Sequence, residues 1–153
     1  MALKRWIETL RLSWRAATEE ADVKGKLKET GRLLRTLGNE RRLRIVSALL
    51  RGDLCVCELV DTLRRPQYEV SRALAALRRL GLVEDRHEGS WVYYSIPAQV
   101  RADEFRGGLL RLLEAHLPAD GDVRFDLACL ERRLALRAGE RCVVGFPARA
   151  RSA

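Results

Sequence analysis

The chain has 153 residues, which suits one ordinary domain, and its 47% hydrophobic and 33% charged residues indicate a packed core rather than wholesale disorder. It carries 29 lysines and arginines against 21 aspartates and glutamates, and the formal charge of +8 argues against a cationic substrate and leaves nucleic acid, an acidic protein or an anionic membrane surface as partners. No stretch approaches the roughly 20 apolar residues of a membrane span, and no apolar secretory region follows Lys4 and Arg5, so we expect a cytoplasmic protein with no membrane partner.

Little in the sequence could support enzyme chemistry. Only two histidines, His87 and His116, are present, and no two acids flank an obvious nucleophile. A phosphate-binding glycine-rich loop, a His-Glu-x-x-His motif and a Gly-x-Ser-x-Gly motif are all absent. We therefore predict that the protein is not an enzyme and uses no organic cofactor.

Three regions are predicted along the chain. Residues 1–25 form a basic amphipathic helix and a polar joint, because apolar residues recur at 4-3-4 spacing between Leu3 and Trp14. Residues 26–117 form a central domain that ends in a dimer helix, and residues 118–153 form a C-terminal helix with a loose basic tail. The predicted helices of the last two regions cover Lys26–Leu37, a segment after Asn39, Val56–Leu63, Gln67–Leu80, Val100–Leu117 and Asp122–Ala138.

The middle of the chain has the element order of a winged helix-turn-helix. Pro66 separates two helices by a tight turn, because it biases the residue before it away from helix. Period-two alternation on both sides of Gly89, over Leu82–His87 and Trp91–Ile96, predicts a β-hairpin that serves as the wing. The predicted fold is therefore mainly α with a small β-hairpin.

The second helix of this motif leaves a small, basic face outside its apolar stripe. Small residues let a helix approach the major groove, and arginine and glutamine reach base edges and phosphates. Such arginines can also be an ordinary solvated face, but the turn, the hairpin and the net charge agree with binding to double-stranded DNA. The candidate DNA-binding residues are Gln67, Tyr68, Ser71, Arg72 and Arg78 on the helix, with Arg86 and His87 on the hairpin.

Four motifs occur in order between about Arg35 and Ile96. They are Leu43-Arg44-Ile45-Val46, Leu54-Cys55-Val56-Cys57-Glu58-Leu59, Val70-Ser71-Arg72-Ala73-Leu74 with Leu77-Arg78, and Gly89-Ser90-Trp91-Val92-Tyr93-Tyr94. In these motifs the chain resembles the ArsR/SmtB family of metalloregulatory repressors, above all its arsenic-responsive branch. The resemblance implies a homodimeric winged-helix repressor that leaves its operator when it binds a toxic metal or metalloid. We expect the first, second and C-terminal helices to bury their apolar stripes against the partner subunit, including Leu27, Leu34 and Leu37 of the second.

The pair Cys55 and Cys57 is the predicted sensing site. Thiolates are soft ligands, which select arsenite, antimonite, mercury, cadmium, lead or copper(I). On a regular helix residues i and i+2 lie about 200° apart, at about 100° per residue, so we expect ion binding to unwind or hold open the first turn of the Val56–Leu63 helix. That helix packs on the recognition helix, so ion binding would alter the geometry that reads DNA.

The third ligand is the point at which the sequence departs from the arsenic-responsive pattern. Many members of that branch have a third cysteine three residues after the second, where this chain has Val60. Either two thiolates suffice, with a water or small thiol completing the site, or the chain supplies a distant cysteine. Cys142 is a better candidate than Cys129, because it lies outside the helical pattern and Arg141 should favour its thiolate.

We therefore predict a metal site of Cys55, Cys57 and Cys142, with arsenite or antimonite as the inducer. The same cysteines could instead sense cadmium, lead or another thiophilic ion, or thiol oxidation. A thiol redox protein and a basic adaptor without a defined operator are the alternatives from other functional classes.

Overall fold

A computed structural model of the chain describes residues 23–145, with side chains from residue 25 onward. The predicted helix over 3–20 and the tail over 147–153 lie outside the described residues. The chain falls into two compact units, Met1–Arg35 and Thr36–Ala153. In the part of the chain that the structure describes, no helix is both long and apolar enough to cross a bilayer.

Over residues 23–145 the structure has seven α-helices, one 3₁₀ turn and three strands. In chain order they are α1 (Val23–Leu37), α2 (Glu40–Leu49), β1 (Leu54–Cys55), α3 (Val56–Leu63), α4 (Gln67–Arg79), β2 (Glu84–Glu88), β3 (Trp91–Ser95), α5 (Ala98–Ala102), α6 (Glu104–His116), a 3₁₀ turn (Leu117–Ala119) and α7 (Gly121–Leu134).

Most of the leucine stripe of helix α1 is exposed within one subunit. Leu27 is 79% exposed and Leu34 is 49% exposed, whereas Leu37 is buried, and burial of the stripe against a partner subunit stays a prediction. Leucines left in water at helical spacing are typical of a face that another surface covers.

Helices α2, α3 and α4 form the helix-turn-helix core. Asn39 caps α2 by accepting a hydrogen bond from the Arg42 N–H at 3.3 Å, and Gly81 follows α4 with a positive φ of 65°. Arg64 ends α3 in the left-handed conformation, and Pro66 precedes α4, so the chain turns within three residues. Apolar side chains from all three helices are fully buried between them: Ile45, Leu49, Leu59, Val70, Leu74 and Leu77. The predicted fold class is confirmed.

The predicted hairpin is one part of a three-stranded antiparallel sheet in the order β1-β3-β2. Strands β2 and β3 pair around Gly89, whose φ of 58° suits glycine in the turn. Strand β1 pairs with β3 through Leu54–Tyr94 and Cys55–Tyr93. This strand was not predicted, because two residues are too short to give a period-two signal.

The predicted helix over Val100–Leu117 is two helices, α5 and α6. Asp103 interrupts it with an extended backbone (φ −63°, ψ 133°) and caps α6 by accepting a hydrogen bond from the Arg106 N–H at 2.6 Å. The two helices then pack so closely that a Cβ on Gly107 would lie 2.2 Å from the Arg101 carbonyl oxygen.

Replacing Gly107 with alanine is therefore expected to destabilise the protein by about 1–3 kcal/mol, because the added methyl overlaps backbone that cannot rotate away. The matched control is Gly108→Ala in the same helix, where the nearest atom to a new Cβ is a side-chain nitrogen of Arg111 at 3.8 Å. There the better helix propensity of alanine should leave stability unchanged or raise it by about 0.5–1 kcal/mol. Urea unfolding followed by circular dichroism measures both, and equal effects would contradict the packing argument.

Helix α7 packs against α3 and is shorter than predicted, since it ends at Leu134 rather than Ala138. Arg44 of α2 and Asp126 of α7 form a buried bidentate ion pair at 2.6 and 2.8 Å. Beyond α7 the chain turns at Gly139, where Ala138 and Arg141 pair, and residues up to 145 return toward β3. This return places the C-terminal segment at the start of α3.

Candidate metal centre and nucleic-acid interface

The structure brings three cysteine sulfurs together in the core. The Sγ atoms of Cys55, Cys57 and Cys142 all lie within 4.8 Å of one another, and Cys57 and Cys142 are separated by 3.3 Å. Their residues are 1%, 1% and 2% exposed. Cys55 and Cys57 are paired as a disulfide and Cys142 is a free thiol, so the cluster needs reduction before it can hold an ion through all three sulfurs.

The backbone at Cys55 corrects the expectation that the helix must unwind. Cys55 belongs to β1 and is the N-cap of α3, with an extended backbone (φ −79°, ψ 160°), while Cys57 lies in the first helical turn. Because β1 is held against β3, Cys55 does not follow the 100° rotation of a helix. The two sulfurs therefore meet without distortion of α3.

The C-terminal turn places Cys142 within its own chain beside this pair. Its backbone N–H donates a hydrogen bond to the Tyr93 hydroxyl at 2.8 Å, and its side chain contacts Cys57. Tyr93 is itself buried against the three cysteines, with Trp91 packed at the edge. The position of Cys142 is thus fixed by the wing strand β3.

The environment of Cys142 disfavours a free thiolate. Burial raises the pKa of its thiol, the carboxylate of Glu58 raises it further, and the Arg133 guanidinium opposes both. The expectation that Arg141 lowers this pKa is wrong, because Arg141 is exposed and the guanidinium that reaches the sulfur is that of Arg133, at 3.7 Å. A bound cation would have to drive the proton off.

Cys129 lies apart from the cluster. It is half-buried on α7, and its sulfur accepts a hydrogen bond from Arg132 at 3.4 Å. Among the residues that the structure describes, Cys129 does not belong to the three-cysteine cluster.

Two partly buried ion pairs lie beside the cluster, and neither was predicted from the sequence. Glu58 is fully buried; it accepts two hydrogen bonds from Arg137, at 2.7 and 2.8 Å, and one from the Cys55 N–H at 2.9 Å. Arg133 donates to Asp61 at 2.6 Å. The available signal was the four-residue spacing of Arg133 and Arg137, which on a continuous helix puts both on one face, although α7 ends at Leu134 and Arg137 lies just beyond it.

Four of the predicted DNA-binding residues lie in the first half of α4. Gln67, Tyr68 and Arg72 are exposed, and Ser71 is half-buried. Arg78 lies at the other end of this helix and donates to Asp85 of β2 at 2.8 Å, which lowers the pKa of that carboxyl below its usual value. Arg78 thus ties the recognition helix to the wing.

The wing residues are exposed and partly paired. Arg86 forms ion pairs with Glu88 and with Asp53, the latter at 3.4 Å, and lies over the Tyr93 ring at 5.6 Å. His87 is exposed and lies 3.5 Å from Asp85.

A basic groove beside α4 extends the face that the sequence predicted. Arg41 and Arg42 of α2 and Arg79 of α4 line it together with Tyr68 and Arg72. Arg41 pairs with Glu69 at 3.0 Å. The available signal was the run Glu40-Arg41-Arg42 at the start of α2. Two arginines in the first turn interact unfavourably with the helix dipole, so their presence there indicates a role other than helix stability.

Comparison with known proteins agrees with this arrangement. The family described as "Bacterial regulatory protein, arsR family" matches residues 39–85. The chain is 41% identical over 69 residues to the arsenic resistance transcriptional regulator ArsR1 of Pseudomonas putida, covering 44% of the chain and 54% of that relative. It is 44% identical over 71 residues to the arsenical resistance operon repressor of Escherichia coli, covering 46% and 61%. It is also 39% identical over 61 residues to the cadmium resistance transcriptional regulatory protein CadC of Listeria innocua, covering 39% and 51%. The chain thus spans about half to three fifths of the length of these relatives.

Solved structures give a more complete match. Reduced HlyU from Vibrio cholerae superposes with a TM-score of 0.53 at 33% identity, over 61% of this chain and 94% of that one. The homodimeric winged helix-turn-helix DNA-binding domain Mb0332 from Mycobacterium bovis superposes with a TM-score of 0.51 at 32% identity, over 60% and 81%. The chain belongs to the arsR family of bacterial regulatory proteins, which are regulators and not enzymes.

Proposed function

We propose that the protein is a cytoplasmic transcriptional repressor that leaves its operator when trivalent arsenic or antimony binds Cys55, Cys57 and Cys142. The observation that carries this proposal is the buried sulfur cluster at the start of α3, the helix before the recognition helix. Two relatives whose names assign them to arsenic or arsenical resistance support it.

The geometry suits one ion held by three sulfurs. Sulfur ligands lie about 2.3 Å from an ion such as zinc, so two sulfurs on one ion of that size are at most about 4.6 Å apart. The three sulfurs lie within 4.8 Å of one another, so one ion can be reached by all three once the Cys55–Cys57 pair is reduced and its sulfurs move apart. All three ligands are soft, which favours arsenic and antimony and also admits cadmium, lead and mercury.

Ion binding would be coupled to DNA reading through α3. The ion would join the C-terminal segment at Cys142 to the N-cap of α3 at Cys55, and α3 packs against both α7 and α4. An ion that binds one arrangement of these helices more tightly shifts the equilibrium toward that arrangement, and the shift equals the difference in binding free energy between the two arrangements. Ion binding would also affect the position of the wing, because β3 pairs with Cys55 and its Tyr93 hydroxyl accepts a hydrogen bond from Cys142.

The operator would be bound by a homodimer that presents α4 to the major groove. Exposed apolar residues on α1 and α6 support a subunit interface: Leu27, Leu34, Phe105 and Leu112. The matching domain from M. bovis is homodimeric by name. Two recognition helices would then read half-sites about one helical turn apart.

Replacing Arg72 with alanine is expected to weaken operator binding by about 1–3 kcal/mol if the side chain contacts a base, while arsenite affinity stays unchanged. Arg124→Ala on α7 removes the same charge from an exposed position outside α4 and should weaken binding much less. Fluorescence anisotropy of a labelled operator measures both variants. Wild-type affinity in the Arg72 variant would remove this residue from the interface.

A titration of the reduced protein on labelled DNA from its own promoter tests the proposed function. Arsenite and antimonite should release the DNA at the lowest concentrations, cadmium or lead at higher ones, and zinc should have little effect. Retention of the DNA with every ion would contradict the proposal.

Thiol oxidation is the second candidate function, and the pairing of Cys55 with Cys57 favours it. An oxidant such as a peroxide would take two electrons and two protons from the two thiols and leave their disulfide. Release of the operator by hydrogen peroxide alone, reversed by a phosphine reductant, would support this function over ion sensing.

A further inference from the structure

The thiol cluster lies against an ion-pair network of four residues, Glu58, Asp61, Arg133 and Arg137. The Arg133 and Arg137 side chains are 6% and 16% exposed, and those of Asp61 and Glu58 are 23% and 0% exposed. Each guanidinium is paired with one carboxylate, so the network carries no net charge. Any charge that remains on the loaded cluster is therefore left uncompensated by these four groups.

Burial makes such a residual charge costly. The three cysteines are 2% exposed or less, so an uncompensated charge on them loses most of its hydration free energy. Three thiolates neutralise a trivalent ion. A divalent ion leaves the cluster one charge negative, or leaves one thiol protonated and uncoordinated, and either outcome costs affinity.

Arg133 is the network residue that would respond most directly to that charge. Its Nη2 lies 3.7 Å from the Cys142 sulfur and also donates to the Val144 carbonyl. Its Nη1 is buried and has no hydrogen-bond partner among the residues that the structure describes. Asp61 accepts a hydrogen bond from the Arg133 Nε at 2.6 Å and cancels the charge of the guanidinium.

We propose that this charge-neutral network makes the cluster select trivalent over divalent ions, and that Arg133, balanced by Asp61, is the residue that sets this specificity. The inference rests on the proposed function, because it assumes that the three cysteines hold the inducing ion. It adds a basis for discrimination that the cysteines alone lack, since soft ions of either valence fit three sulfurs.

Two single variants test the proposal because they shift the network charge in opposite directions. Arg133→Gln makes the network one charge more negative and should lower cadmium affinity relative to antimonite affinity. Asp61→Asn makes it one charge more positive and should raise that ratio. Each shift should be at least about tenfold, equivalent to about 1.4 kcal/mol. The double variant Asp61→Asn with Arg133→Gln restores neutrality and should return the ratio to the wild-type value.

The affinities are measured on full-length protein reduced with a phosphine, by ultraviolet titration of the sulfur-to-metal charge-transfer band. Opposite shifts in the single variants and a restored ratio in the double variant support the proposal. Shifts in the same direction, or an unchanged ratio, overturn it while leaving the three-cysteine site intact. Failure of the wild type to bind either ion would overturn the proposed function and this inference together.

Discussion

The Cys57→Ser variant is expected to hold its operator at arsenite concentrations that release the wild-type protein. Cys57 lies between the other two ligands, 3.3 Å from the Cys142 sulfur and paired with Cys55. Losing a direct ligand should lower arsenite affinity by at least about 100-fold, since losing an outer partner of a ligand already costs 10–100-fold. Anisotropy of a labelled operator, titrated with arsenite under reducing conditions, measures the release.

The control for this prediction is Cys129→Ser, which removes a thiol from α7 outside the cluster. This variant should leave the operator at the same arsenite concentrations as the wild-type protein. Both variants should bind the operator normally without arsenite, because neither residue lies on α4 or the wing. Normal release of the Cys57 variant would place the sensing site elsewhere.

The Arg44→Met variant should lower the free energy of unfolding by about 3–5 kcal/mol. The Arg44 side chain is 10% exposed and that of Asp126 is 3% exposed, and their two hydrogen bonds join α2 to α7. Methionine fills a similar volume but leaves the carboxylate buried without its cation. Urea unfolding followed by circular dichroism gives the difference.

Arg41→Met on the same helix is the matched control. Its ion pair with Glu69 joins side chains that are 41% and 20% exposed, so its loss should cost less than about 1 kcal/mol. A loss of equal size in both variants would mean that burial does not decide the strength of these pairs.

Most of the fold could be predicted from the sequence, because its helices and hairpin carry regular patterns. The order of the helix-turn-helix and wing followed from Pro66 and the alternation around Gly89. What the patterns missed depends on single residues and on distant contacts. Asp103 breaks a helix by capping the next one, and β1 exists only because β3 pairs with it.

The candidate site was less accessible to sequence reasoning. Cys142 could be singled out because it falls outside the helical pattern, but its contact with Cys57, 85 residues earlier in the sequence, depends on the whole fold. The charge that faces its sulfur was assigned to Arg141 by proximity in sequence, whereas the fold supplies Arg133 from the preceding helix. The spacing of Arg133 and Arg137 indicates that they lie on one side, but the carboxylates of α3 with which they pair have no local signature in the sequence.

The sulfur coordination of the arsenite-loaded, reduced protein tests the central claim most directly. X-ray absorption at the arsenic edge should count three sulfur ligands in the wild type and in Cys129→Ser, and two in Cys142→Ser. The same count in the Cys142 and Cys129 variants would contradict the three-cysteine site.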